Sequence, residues 1–568
     1  MRGVAYLLRK VLLLLYPFGM NVTVEDLERV KQIARKGPII YLPCHKSYMD
    51  FLVVSYICFS HGLPLPHVVA GENLNIPVVG QILRYGGAFF IRRTFGSDEL
   101  YRAMFNEYVT TLLVHGNTME CFIEGGRSRS GKVLPPKPGF LRVVVDAVAD
   151  GAVDDVHLIP ISLGYDRLVE NDSYIKELTG GEKKTERLFA FLASSLNLIV
   201  KAMNKSLIFG QINIGFGEPV SVAKYLKQEH SKVSLLNNDQ RKTVTKNLGF
   251  RTLYEINISN TILLTQLVGT ILLTQYGRGI RFEELVKKVK WLRREVLTRG
   301  GRVRQQNDEE VSASLRSVVE DILEPKTRSI KKNRLVKRHK TILMLSLYSP
   351  GEQMELALQR NQLIHYFVSE GIIACGLYAC ERDSPTSPCL VSKQDLFDRA
   401  GFLSKLLRLE FIYKPSPGLA EAFDQTIAYM IRRNILDEPN DDQFCVNEKV
   451  KNEEDGGTYV YLFLCSLFWP FVESYWLTAL GLLRLLPEKI LDERTLIQFV
   501  QDIGERLYFE GMIDLFEAIS QETIQNALTL FETWGMVQFL DIEGQTVYTP
   551  GKRVIQLTQT VSHLLSVK

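Results

Sequence analysis

Seven residues, Cys44-His45-Lys46-Ser47-Tyr48-Met49-Asp50, carry the most chemistry for their length in this sequence. They follow the β-rich run Pro38 to Pro43 (PIIYLP), so His45 should leave the C-terminal edge of a sheet, where α/β folds gather working residues. Asp50 falls about one turn into the helix expected next, from where its carboxylate can turn back on the imidazole. Such a pair fixes one ring tautomer and stabilises the imidazolium that forms when the ring takes a proton. The spacing alone also fits a plain helix N-terminus capped by Ser47.

A second segment runs Phe122-Ile123-Glu124-Gly125-Gly126-Arg127-Ser128-Arg129-Ser130-Gly131-Lys132. Its glycines let backbone N–H groups approach a ligand. Arg127, Arg129 and Lys132 offer two planar forks and a point charge suited to phosphate. Gly126 to Lys132 nearly matches the nucleotide-binding loop G-x-x-x-x-G-K-[ST]. Val133, however, stands in place of the magnesium-binding hydroxyl, and Leu134-Pro135-Pro136 breaks the helix that must follow. Nucleotide binding is excluded on these grounds. Ser130 also replaces the last glycine of a G-x-S-x-G nucleophile elbow. A third cluster, Arg92-Arg93, closes the apolar run Gly87 to Ile91; two arginines there are costly to bury unpaired, so an anion or an acidic side chain should lie near.

The elements that must position these residues alternate. Short β-rich runs at Pro38 to Pro43, His67 to Ala70, Ala88 to Ile91, Thr118 to Ile123, His157 to Leu163 and Gln211 to Phe216 read as buried strands. Helical spacing appears at Leu100, Phe105, Val109 and Leu113, and again from Phe140 to Ala149. Strand–helix alternation implies an α/β domain with helices covering a central sheet. From about Ser221 helical patterns dominate, including the apolar Thr261 to Leu273 before the stop signal Gly277-Arg278-Gly279. No internal repeat is legible.

At 568 residues the chain calls for two or more domains, and 68 basic against 64 acidic residues leave only +4. That balance makes no case for nucleic acid. Eight cysteines without a C-x-x-C pair read as reduced, mostly buried thiols rather than zinc ligands. Near the N-terminus, basic Arg9 and Lys10 interrupt a leucine-rich stretch too short to span a bilayer, which fits an interfacial helix or a helix packed on the domain. Lys326 to Lys340 is a basic run, a solvated face or a patch for anionic lipid. Asn447 to Gly457 reads as an acidic loop. Tyr459 to Leu483 is long enough to cross a bilayer, but Pro470 and Glu473 at its middle favour two helices joined near Pro470.

Taken in order, the motifs resemble the glycerolipid acyltransferase family, whose hallmark is a histidine followed five positions on by aspartate. His45 and Asp50 match that pair. Gly87 to Arg93 (GAFFIRR) looks like the second family motif, Phe122 to Arg129 (FIEGGRSR) the third, and Leu158-Ile159-Pro160-Ile161 the fourth. Within the family, Gly71 to Pro77 (GENLNIP), Gly86 to Phe95 (GGAFFIRRTF) and the Gly164-Tyr165-Asp166-Arg167 loop are similar to the long glycerol-3-phosphate acyltransferases of bacterial inner membranes and mitochondria. Lys46 departs from the pattern, where arginine is commoner. Peroxisomal dihydroxyacetone-phosphate relatives share some of Arg93 to Tyr101, although Ser566-Val567-Lys568 is not the S-K-L signal.

The resemblance implies an α/β acyltransferase domain, with a central mixed sheet flanked by helices, over residues 36–220. An N-terminal membrane-surface segment (1–35) would precede it and a mainly α-helical region (221–568) would follow. It implies acyl transfer from a thioester, acyl-CoA or acyl carrier protein, to the sn-1 hydroxyl of glycerol 3-phosphate, giving lysophosphatidic acid in phospholipid synthesis. His45 would be the general base and Asp50 its orienting partner, with no cofactor or metal. Arg92, Arg93, Glu124, Gly125, Arg127, Ser128 and Pro160 would form the substrate site, with Pro160 shaping its wall and the turn at Glu124 to Gly126 offering oxyanion donors. Association with a membrane, the site facing the cytosol, completes the expectation. Dihydroxyacetone phosphate as acceptor, or a non-catalytic lipid-binding role, are the alternatives; oligomeric state is open.

Overall fold

The computed structural model describes residues 2–551 apart from 78, 93–97, 182–207, 230–235, 275–279, 306, 320–335, 340–341, 346–348, 384–389, 417, 448–456, 487–489 and 543–544. Cys389, most of the 326–340 and 447–457 runs, and Gly277 to Gly279 therefore lie outside the described residues.

Eight strands form one mixed sheet: β1 (Met20–Val22), β2 (Ile39–Pro43), β3 (His67–Gly71), β4 (Phe89–Ile91), β5 (Met119–Glu120), β6 (His157–Tyr165), β7 (Ile212–Phe216) and β8 (Val220–Ser221). The order is β1-β7-β6-β2-β5-β3-β4, with β8 beside the start of β6. β2 is parallel to both neighbours, Ile40 standing opposite Leu158 and Met119. β2 and β6 are buried at every position, which is why their sequences are continuous apolar runs rather than alternating ones. β5 is shorter than its run suggests because the chain leaves the ladder after Cys121, whose N–H still reaches Tyr41 O.

The helices of this half are α1 (Arg2–Leu15), α2 (Val24–Ala34), α3 (Asp50–His61), α4 (Val79–Tyr85), α5 (Glu99–Val114), α6 (Gly139–Ala149), α7 (Asn171–Leu178), α8 (Val222–Glu229) and α9 (Asn238–Ser259). Residues 1–35 are not a separate appendage: β1 adds to β7, and Leu12, Leu15 and Tyr16 of the α1 region join the core under the sheet. Nor does the first core end at 220. α9 packs on α6 and β6, and core membership changes between Ile256 and Ile262.

Beyond β9 (Thr261–Ile262) the chain builds one plan three times. Each copy is an apolar helix, a two-residue strand, two helices and a β-hairpin, the hairpin's second strand taking the middle of a three-stranded antiparallel sheet. The first copy is α10 (Leu264–Thr274), β10 (Ile280–Arg281), α11 (Phe282–Thr298), α12 (Asp308–Ser317), β12 (Val336–His339) and β13 (Ile342–Leu345), with β11 (Arg302–Val303) inserted to pair with β9. After α13 (Pro350–Asn361), the second is α14 (Val368–Asp383), β14 (Val391–Ser392), α15 (Lys393–Leu406), α16 (Leu419–Arg432), β15 (Leu436–Asn440) and β16 (Gln443–Val446). The third is α17 (Gly457–Leu482), β17 (Leu491–Asp492), α18 (Glu493–Phe509), α19 (Gln521–Thr533), β18 (Val537–Ile542) and β19 (Gln545–Pro550). Strand order is first-third-second in each of these three sheets. The repeat escapes a reading of residues because the copies share topology and apolar pattern rather than identities.

α17 corrects a further expectation. It is one 26-residue helix through Pro470, not two joined there. Proline removes the N–H that would reach the carbonyl of Ser466 and strains the turn, at a cost of about 3 kcal/mol or more. Packing outweighs that cost: α17 lies against α14, α18 and α19 and is mostly buried, with Phe468, Phe471, Val472, Tyr475 and Leu477 all in the second core. Each such side chain contributes about 1.5–3 kcal/mol on burial. Glu473 is buried with them.

Candidate active site

The parallel strands deliver their C-terminal ends to one edge of the sheet, and the motifs sit there. Cys44 N donates to Ile161 O at 2.9 Å, extending the ladder by one residue. His45 then turns clear, its side chain 20% exposed. Asp50 opens α3 and is fully buried. His45 Nδ1 donates to Asp50 Oδ2 at 2.9 Å. A carboxylate can only accept, so in the neutral ring Nδ1 carries the hydrogen and Nε2 the lone pair. The N–H groups of Lys46 and Ser47 donate to the same oxygen at 2.7 and 2.8 Å, and the hydroxyl of Tyr165, on β6, donates to Asp50 Oδ1 at 2.6 Å. Burial and the Asp50 charge hold the Tyr165 hydroxyl well above its ordinary pKa, so it stays a donor. The Phe122 ring lies against the imidazole, centroids 4.1 Å apart.

Burial pushes the Cys44 thiol up to about 12. The sulfur beside the histidine therefore stays protonated and is no nucleophile at neutral pH.

The Phe122–Lys132 segment follows β5 and meets the histidine turn directly: Ser128 N donates to His45 O at 2.8 Å. Arg127 thus lies beside the dyad's backbone. Its guanidinium stacks 3.6 Å above the Tyr48 ring centroid and donates from Nη1 to the Tyr174 hydroxyl at 2.9 Å, which in turn donates to Lys46 O. Glu170 Oε1 stands 3.9 Å from the same nitrogen. Glu170 also accepts from Ser47 Oγ at 3.0 Å and from Tyr48 N at 2.8 Å, and burial raises its carboxyl to about 7. One acid therefore braces both the histidine turn and the arginine.

Two expected substrate contacts point inwards instead. Glu124 is buried and accepts from His45 N and Leu134 N, both at 2.7 Å. Desolvation lifts it to about 8. Ser128 is buried too, its hydroxyl accepting from Gly131 N at 3.1 Å. Gly125 takes φ +67°, which suits glycine, and its N–H closes the turn on Phe122 O. That N–H is spent. Gly126 beside it is exposed.

Pro160 is core beneath the site rather than its wall. It pairs with Leu42, three residues before His45, where the antiparallel partner of β6 changes from β7 to β8 and no ladder N–H is required. Arg92 lies at the end of β4, the far edge strand, and is bound to Asp98 at 2.7 Å with its guanidinium over Tyr101. Three ladder steps of about 4.8 Å separate that strand from β2. The structure does not bring Arg92 to the dyad, and Arg93 lies outside the described residues. Arg129 and Lys132 are not aimed at a ligand either. Arg129 pairs with Glu177 at 2.5 Å and Lys132 with Glu410.

Tyr165, Glu170, Tyr174 and Tyr48 were not assigned roles from sequence. The available signal was position: Tyr165 ends the strand next to β2, Glu170 and Tyr174 follow it in a segment that packs over the site, and Tyr48 lies within the histidine segment itself.

The chain matches the family model described as glycerol-3-phosphate acyltransferase C-terminal region over residues 174–539, and the one described as acyltransferase over residues 21–164. It is 31% identical over 550 residues to the dihydroxyacetone phosphate acyltransferase of Mus musculus, covering 93% of this chain and 76% of that one. With the glycerol-3-phosphate acyltransferase of Pseudomonas syringae pv. tomato it shares 30% over 439 residues, 74% of this chain and 48% of the relative. A solved structure, the 1-acyl-sn-glycerophosphate acyltransferase PlsC of Thermotoga maritima, aligns with 45% of this chain and 78% of its own at 19% identity and a TM-score of 0.26.

Proposed function

The chain belongs to the glycerol-3-phosphate acyltransferase family and is an O-acyltransferase, and from that premise we propose that it transfers a fatty acyl group from a thioester to the sn-1 hydroxyl of glycerol 3-phosphate, giving lysophosphatidic acid. The observation that carries the reading is the His45–Asp50 hydrogen bond at the sheet edge, with Arg127 one residue from the atom bonded to His45 O.

Nε2 of His45 takes the proton of the acceptor hydroxyl as its oxygen bonds to the thioester carbonyl carbon. The tetrahedral intermediate collapses with rupture of the C–S bond, and the imidazolium returns the proton to the departing thiolate. Acyl transfer is direct, without an acyl-enzyme. Asp50 stabilises the imidazolium between the two steps. Arg127 holds the acceptor's phosphate by a charge-assisted fork and so selects which hydroxyl meets the ring. The N–H of exposed Gly126 is the oxyanion donor in this scheme.

A second acceptor, dihydroxyacetone phosphate, is favoured by one observation: relatives so named match nearly the whole chain. Incubating the purified protein with a fatty acyl thioester and each acceptor, then identifying the ester, separates the two. An acylated ketone product in excess would transfer the assignment to the second reading.

The product is amphiphilic, and α1 offers a surface for it to leave into. Tyr6, Arg9, Lys10 and Leu13 recur at helical spacing and are all exposed, while Leu12, Leu15 and Tyr16 anchor the other face. Aromatic, basic and aliphatic side chains on one outward face suit the headgroup region of a bilayer, with the site on the cytosolic side.

A further inference from the structure

Three consecutive residues of the loop that carries Arg127 are held by the C-terminal region. Ser130 Oγ donates to Glu522 Oε1 at 2.5 Å, and Ser130 O accepts from Asn361 Nδ2 at 3.0 Å. Gly131, at φ +86°, passes so close to Leu358 that a Cβ would stand 2.5 Å from its carbonyl oxygen. Lys132 pairs with Glu410, with side-chain exposures of 5% and 0%, and its ammonium sits 4.5 Å from the Phe471 ring centroid. Glu410 Oε1 is itself fixed by Tyr475 OH and Asn526 Nδ2, both at 3.0 Å. The other end of the loop is tied to the histidine turn through Ser128 N and Glu124.

A buried ion pair gains little over apolar packing of the same volume. What it does supply is a fixed place for both partners. Lys132 and Glu410 lie 278 residues apart in sequence, and the hydrogen bonds around Glu410 come from α17 and α19 as well. An acid held from three directions and buried against a loop lysine is built to set that loop's position.

We propose that Glu410 is a positioning residue for acyl transfer: by fixing Lys132 it sets the loop that presents Arg127, so that the C-terminal region completes the acceptor-phosphate subsite. Lys132 is accordingly the loop's anchor and not a phosphate ligand. The inference rests on the reading of Arg127 given above.

The test uses the full chain, with rates measured against acceptor and against thioester concentration for Glu410→Gln, Lys132→Met and the double variant. Each single change should raise the acceptor KM about tenfold while kcat and the thioester KM stay within about twofold, and the double should match the singles because both act through one link. Asp424→Asn, at the exposed Lys393–Asp424 pair, should change nothing. An unchanged acceptor KM in Glu410→Gln with a lowered unfolding midpoint would make the pair structural only. A raised KM in Lys132→Met alone would make Lys132 a phosphate contact, and multiplying effects in the double would break the link; either overturns the proposal. Should these variants not fold, Ser130→Ala removes only the Glu522 bond and should still raise the acceptor KM about threefold; no rise overturns the proposal equally. Failure of the reading beneath it looks different, since the unmodified chain would then acylate no phosphorylated acceptor.

Discussion

The Tyr165 hydroxyl donates to Asp50 Oδ1 at 2.6 Å, from the strand next to the one that carries His45. It leaves Asp50 Oδ2 to the histidine and two backbone N–H groups. Tyr165→Phe removes a hydrogen bond to a charged group, worth about 1.5–3 kcal/mol. The expected result is a kcat about tenfold lower with an unchanged acceptor KM. An unaltered kcat would mean that the backbone donors alone hold the carboxylate.

His45→Ala should lower kcat by about 10²–10⁴-fold. Because the ring is partly exposed, the unfolding midpoint should hardly move. Near-normal turnover in a folded sample would remove His45 from the base's role.

Arg127→Ala should act on the acceptor, raising its KM with little effect on the thioester KM. Arg127→Lys keeps the charge but loses both the fork and the stack on Tyr48, so it should recover only a small part of the loss. Equal KM values for both variants and the unmodified chain would place the phosphate elsewhere.

Glu170 and Glu124 are pushed up by burial to about 7 and about 8. The folded chain thus retains protons that the unfolded chain releases above about pH 4.5. The stability these two groups contribute should fall as pH rises from there through about 8. Glu170→Gln removes one titrating group and should flatten the fall below pH 7 by at most about 1.4 kcal/mol per pH unit. Urea midpoints across pH 5 to 9 would read this directly; identical slopes would show Glu170 ionised throughout.

Gly371 of α14 meets α17 so closely that a Cβ would lie 2.0 Å from Phe468 Cε2. Gly371→Ala should destabilise the second core by about 1–3 kcal/mol through overpacking, seen as a lower denaturant midpoint.

Much of the sheet was legible in the sequence. Strands buried on both faces, such as β2 and β6, appear as apolar runs that need no partner to be recognised, and the ends of β2 and β5 fix where His45 and Arg127 emerge. The orientation of side chains after those ends was not legible. Glu124 and Ser128 turn inwards because partners at His45, Leu134 and Gly131 claim them, and Lys132 does so because of an acid 278 residues away. Arg92 was misplaced for a related reason: strand order, which sets its distance from β2, is a property of the whole sheet. At Pro470 a sound local rule lost to tertiary packing, and the threefold plan stayed hidden because hairpin order leaves no trace in residue identity.

The unbroken passage of α17 through Pro470 has a consequence for how lipid can meet this protein. By length and apolarity this is the segment a hydropathy scan would send across a bilayer, yet its flanks are already occupied by neighbouring helices and its glutamate is sealed inside. Handing it to hydrocarbon would strip the protein's larger interior of its central rod. Among the described residues, α17 is therefore a strut of the interior rather than a surface offered to fatty chains.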